Sequence, residues 1–181
     1  MRSFARSVFF ALVTVCAGAR LFAQDAAPEP TSQHKLLAKE VGEWTGEMKM
    51  YMAPDAPPVT APVVEKNTLM SNGLWLISEF ESGPFQGHGV FGYDPAKKKF
   101  VGTWVDNQTM SLGLMEGTHD EKTGELIYLS QAMNPATGKM EPTKTVGKFI
   151  DENSKHFTMY MKSSSGDGWN KWMEISYKRS K

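Results

Sequence analysis

The sequence predicts an all-β domain: an antiparallel up-and-down barrel of roughly ten strands, entered through one short helix. Three observations predict it. Apolar and polar residues alternate with period two over most of the chain beyond Gly42. Clusters of Gly, Pro, Asn and Asp punctuate that alternation at short intervals. No stretch between two such clusters carries helical periodicity. Short connections force neighbouring strands to run antiparallel. A long meander exposes two edges, and closing it into a barrel removes both. A β-sandwich is the alternative for the same strands.

The elements follow in order. His34 to Val41 is the one good helical stretch, with Leu36, Leu37 and Val41 on one face and Gly42 as its stop. The period then changes: Trp44, Gly46, Met48, Met50 and Met52 alternate with Thr45, Glu47, Lys49 and Tyr51. Ala53 to Pro62 holds four prolines and reads as a loop. Val63 to Met70 and Leu74 to Glu81 read as strands, joined by Asn72-Gly73, whose turn needs positive φ at both positions. Gly87 to Tyr93 and Lys99 to Asp106 follow, with a turn over Asp94-Pro95-Ala96-Lys97. A tight turn at Asn107-Gln108 leads into Thr109 to Gly117, and Asp120 to Gly124 turns the chain again. Glu125 to Ala132, Thr143 to Asp151, Lys155 to Lys162 and Trp169 to Lys178 complete the set. Loops at Asn134 to Gly138 and Ser163 to Gly168 separate the later ones.

The first residues read as a signal peptide. Arg2 and Arg6 precede the apolar run Val8 to Ala17, which is too short to span a bilayer. Small residues then allow cleavage after Ala19 or, as preferred here, after Ala23. The expected organisation is therefore a signal peptide over 1–23, a flexible Pro- and Ala-rich tether over 24–33, and one β-barrel domain over 34–181. The protein is expected to be secreted or periplasmic, with no stable membrane insertion once the signal is cut.

Composition narrows the function classes. The chain has 181 residues, 40% hydrophobic and 22% charged, which suits one globular domain. Its 20 basic and 20 acidic residues balance, so nothing points to nucleic acid. Cleavage after Ala23 removes three arginines and no acid, leaving 17 basic against 20 acidic residues, a net charge of −3. It also removes Cys16, the sole cysteine, so the mature domain forms no internal disulfide and has no thiolate chemistry. Methionine is the outlier, with 12 residues.

Two resemblances rest on particular residues. The short helix followed by Gly42-Glu43-Trp44, with Lys178 or Arg179 at the far end, resembles the calycin barrels, lipocalins and their relatives. That resemblance implies that Trp44 plugs one end of the barrel beneath the basic residue and against Leu36 or Leu37. The usual lipocalin disulfide is absent. A second resemblance is closer. Gly92-Tyr93-Asp94, Lys98-Lys99-Phe100, Thr103-Trp104-Val105-Asp106, Met115-Glu116-Gly117-Thr118 and Met173-Glu174-Ile175 resemble a bacterial family known only as domain of unknown function 1579. It implies fold and bacterial origin, and no reaction.

Side chains that point to chemistry are few. Met48, Met50 and Met52 lie on one strand face, and Met159, Met161 and Met173 alternate near the C-terminus. Barrel closure would gather these six on one interior wall, as adaptable packing, as the lining of an apolar site, or as thioether ligands for Cu(I). The histidines His34, His88, His119 and His156 lack metal-pair spacing. His119 reads as a solvated turn residue, while His156, on a late strand, is where a haem-binding calycin would offer its axial ligand. Asp106 shares a face with Trp104, and Glu116 with Leu112 and Leu114. Two converging carboxylates would permit acid–base work, but no nucleophile or oxyanion donor accompanies them. Asp106 otherwise closes its turn, and Glu116 sits at a strand end in water.

The expectation is thus a barrel that binds a small apolar ligand, rather than an enzyme, with no cofactor and no nucleic-acid partner. Its expected lining is Trp44, Met48, Met50, Trp104, Asp106, Glu116, Met159 and Met173. The alternatives are a copper or haem protein and a hydrolase-like enzyme using the barrel carboxylates.

Overall fold

The computed structural model describes residues 27–180 except 54, 55, 135, 136, 164, 165 and 167. The expected signal segment lies outside the described residues. Helix α1 (Ser32–Ala38) precedes ten strands: β1 (Gly42–Met50), β2 (Val59–Leu69), β3 (Trp75–Ser82), β4 (Phe85–Asp94), β5 (Lys99–Asp106), β6 (Gly113–Asp120), β7 (Glu125–Asn134), β8 (Lys139–Asp151), β9 (Ser154–Lys162) and β10 (Trp169–Arg179). Each strand pairs antiparallel with the next, and β10 returns to pair with β1, closing a barrel. The closing register runs from Trp44 opposite Arg179 to Met50 opposite Met173. The sandwich alternative is thereby overturned: one continuous ladder leaves no second sheet to stack.

Residues directly opposite each other share a face of the sheet. The register therefore carries one inward set around the wall. It starts at Trp44, Gly46, Met48 and Met50. It passes through Phe91 opposite Gly102, and Thr145 opposite Met159. It ends at Phe157 opposite Ile175. Two buried clusters fill much of this interior. One holds Trp44, Met48, Val63, Phe80, Ile175 and Tyr177. The other holds Leu37, Leu76, Phe100 and Tyr128, with Leu36 and Val41 packed against it. The helix thus closes the end of the barrel where β1 begins.

Local chemistry sets the element boundaries. Asn72 and Gly73 have φ of 61° and 76°, as the turn requires. The helix begins at Ser32, two residues before expectation, because Thr31 caps it: the Thr31 N–H donates to His34 Nδ1 at 3.1 Å. It ends at Ala38, and Gly42, at φ 129°, redirects the chain into β1.

Three expectations are corrected. Strand β2 starts at Val59, inside the expected Pro-rich loop, and contains Pro62. The Pro62 carbonyl accepts from Ser82 Oγ at 2.9 Å, so its ring nitrogen also faces β3. The β2–β3 ladder stops at Val64 opposite Glu81, so no N–H is required there. Strand β6 starts at Gly113 rather than Thr109, because Asp106 Oδ1 accepts the N–H groups of both Gln108 and Thr109 and holds that segment as a turn. His119, expected in a turn, is instead a half-buried residue of β6 opposite Leu126.

Candidate functional site

The inner wall is not uniformly packed. Near α1, the inward positions Trp44, Val63, Leu76, Phe100, Tyr128 and Tyr177 are buried. Farther along the barrel, Met50, Trp104, Met115, Ser130, Thr145, Phe157, Met159 and Met173 point inward yet stay half-buried. An inward side chain in a closed wall is exposed only to space inside the barrel or at its mouth. Gly147 confirms space inside: it lies opposite both Leu126 and Phe157, and a Cβ built there meets a single atom within 4 Å, the Leu126 carbonyl at 3.9 Å. The inner wall away from α1 is therefore more loosely packed than the α1 end, and its side chains are largely aromatic rings and thioethers. Its polar wall groups include Ser130 and Thr143, whose hydroxyls bond at 2.6 Å.

The floor of the lumen carries buried charge. Lys155 Nζ pairs with Glu40 and, at 2.7 Å, with Glu65, while its side chain is 8% exposed. The same ammonium lies 4.6 Å from the Trp44 ring centroid and 4.9 Å from that of Tyr177. Burial opposes its charge, but the two carboxylates outweigh burial and raise its pKa. Burial raises the Glu40 pKa against the pull of Lys155. Burial, then the Glu65 charge, lifts the Tyr177 phenol well above its ordinary range, and burial with the Glu40 charge does the same for Tyr128. The Tyr128 hydroxyl and Asn67 Oδ1 have no hydrogen-bond partner among the described residues.

Trp44 is fully buried against two cations, Lys155 and Arg179, with the Arg179 guanidinium carbon 4.0 Å from its ring centroid. Of the two expected basic residues, Arg179 takes this place. Arg179 Nη1 donates to the Val41 carbonyl and Nη2 to that of Lys39, at 3.1 Å. Lys178 instead donates to Ser154 Oγ. Leu36 and Leu37 pack with Leu76, Phe100 and Tyr128 rather than with Trp44. The link from the helical end to Trp44 is a hydrogen bond from its Nε1–H to the Glu40 carbonyl, at 2.8 Å.

The expected lining residues divide. Trp44, Met48, Met50, Trp104, Met159 and Met173 all face the interior, Trp44 and Met48 as core and the other four along the lumen. Asp106 is on the inward face at the mouth, its Oδ1 committed to its turn. Glu116 is on the outer face, exposed and 2.7 Å from Lys97. Asp106 and Glu116 thus lie on opposite sides of the wall, which removes the two-carboxylate enzyme. His156 faces outward, 3.1 Å from Ser176 Oγ, because Phe157 takes the inward position beside it, so it is no axial ligand for a haem in the lumen. Met52 leaves the methionine face, since β1 ends at Met50 and Met52 is exposed. An open cleft at the α1 end of the barrel is lined by Leu36, Tyr93, Lys98, Phe100, His119 and Glu121.

Sequence reasoning missed Lys155, Glu40, Glu65, Asn67 and Tyr128. A signal existed for two of them. Lys155 alternates with Phe157, Met159 and Met161, and Glu65 with Val63, so each is a charge on an apolar face.

Ten antiparallel strands in one continuous ladder define a closed, up-and-down β-barrel. The chain belongs to DUF1579, a family of proteins of unknown function, whose model matches residues 29–179. The chain is similar to a protein of unknown function from the DUF3598 family, from Nostoc punctiforme PCC 73102. That likeness has a TM-score of 0.49 at 13% identity and covers 86% of this chain. The chain spans about half of that structure, 53%. No curated protein matches the sequence.

Proposed function

We propose that this is an exported barrel that holds a small, largely apolar molecule in its lumen. One observation carries the reading: inward side chains around Trp104, Met115, Phe157 and Met159 stay half-buried inside a closed wall. Unfilled space lined by aromatics and thioethers favours an apolar occupant, because burying its surface gains about 25 cal/mol per Å². Methionine suits such a wall, since its unbranched side chain adapts to the shape it meets. Export is supported by Arg2 and Arg6 ahead of the apolar run from Val8.

The test is binding of anilinonaphthalene sulfonate, read by its fluorescence and by energy transfer from tryptophan. Gly147→Leu fills the lumen and is expected to abolish the signal. Leu114→Ser removes an exposed apolar side chain from the outer face and is expected to leave it. Binding that survives Gly147→Leu but disappears in Leu114→Ser would refute the lumen as the site. Native mass spectrometry of protein from its own host then identifies the natural occupant.

A further inference from the structure

We propose that Met50, Met159 and Met173 form a Cu(I) site on the lumen wall. Met50 lies directly opposite Met173 across β1 and β10, and Met173 directly opposite Met159 across β10 and β9. Three adjacent strands therefore present three thioethers in one rung. A β-bulge between Lys171 and Met173 sets this register. Directly opposed residues have Cβ atoms about 4.5–5.5 Å apart, and methionine has three flexible bonds with which to bring its sulfur onto a shared ion. Met48 and Met161 stand two residues along the same inward faces, on either side of the rung.

The surroundings select the ion. Thioethers are soft, neutral ligands and favour Cu(I) over harder divalent metals. No group of three or more His, Cys, Asp or Glu able to hold a metal exists among the described residues. A single positive charge also loses less hydration in an apolar wall than a double one. All three methionines are half-buried, so the rung is reached from the mouth.

The experiment uses the full chain as its Cys16→Ser variant, so that no thiolate competes. The protein is titrated anaerobically with Cu(I) against a chromophoric Cu(I) chelator, and with Ag(I) as a redox-inert probe. One ion per chain is expected, with sulfur as the sole protein scatterer in X-ray absorption. Met50→Leu, Met159→Leu and Met173→Leu are each expected to weaken binding by about tenfold or more. The triple variant is expected to lose it while still unfolding cooperatively in urea with a midpoint close to wild type, which separates loss of the ligands from loss of the fold. Met133→Leu and Met140→Leu, both exposed on the outside, are expected to change nothing. Absence of uptake, nitrogen or oxygen in the ion's shell, or retention by the triple variant would each overturn the site.

Discussion

Lys155→Met replaces the buried ammonium with an apolar side chain of similar length and leaves Glu40 and Glu65 without the cation that pairs with both. Removing one partner from a buried ion cluster costs about 3–5 kcal/mol, because the remaining charges stay desolvated. The loss of the cation above Trp44 and Tyr177 adds to that, at about 0.5–2 kcal/mol per desolvated contact. A domain of this size has about 5–15 kcal/mol of total stability. Urea unfolding followed by tryptophan fluorescence at pH 8 is therefore expected to show a midpoint far below wild type with an unchanged slope. The deficit also has a pH signature. Burial already raises the Glu40 pKa, and removing the Lys155 charge that opposes this holds Glu40 further above its unfolded value. Folding then favours its protonated form, so the penalty is full above that raised value and disappears as pH falls toward 4.5. The Lys155→Met deficit is expected to shrink between pH 8 and pH 5. Adding Glu40→Gln and Glu65→Gln is expected to restore most of the stability, since neutral amides remove the uncompensated charge. A Lys155→Met cost under about 1 kcal/mol, the range of exposed pairs, or a cost independent of pH, would refute the cluster as a buried, paired unit.

Three other outcomes are expected. Trp44→Ala opens a cavity under Arg179 and Lys155 and is expected to cost about 3–5 kcal/mol in denaturant, as aromatic truncations do; a loss under about 1 kcal/mol would show that the ring is no plug. A Cβ at Gly87 would lie 2.2 Å from the Trp104 ring, so Gly87→Ala is expected to displace that ring, shift its fluorescence, and cost about 1–3 kcal/mol. Tyr128, Tyr177 and Lys155 all have pKa values raised by folding, so native protein holds protons that unfolded chain releases above about pH 10. Stability is present below that pH and lost above it. At about 1.4 kcal/mol per proton per pH unit, three protons give a slope approaching 4 kcal/mol per unit, which chemical unfolding between pH 10 and 12 measures.

Period-two alternation and turn chemistry determined from sequence alone that the chain is an all-β meander with about ten strands. These signals are local: Asn72-Gly73 needs only its own φ angles, and the alternation through Trp44, Met48 and Met50 needs only one strand. The same parity placed Trp104 and Asp106 on one face and Glu116 on that of Leu112 and Leu114. It did not say which face is inside, and it gave Pro62 no place in a strand, because the ladder beside it decides whether its N–H is missed. Tertiary structure alone decided the rest. Closure of β10 onto β1 set Met50 beside the Met159–Met173 pair of β9 and β10, more than a hundred positions further along the chain. The same closure brought Lys155 onto Glu40 and Glu65, turning three ordinary surface residue types into a buried cluster. Register and burial belong to pairs of strands, and no single strand carries them.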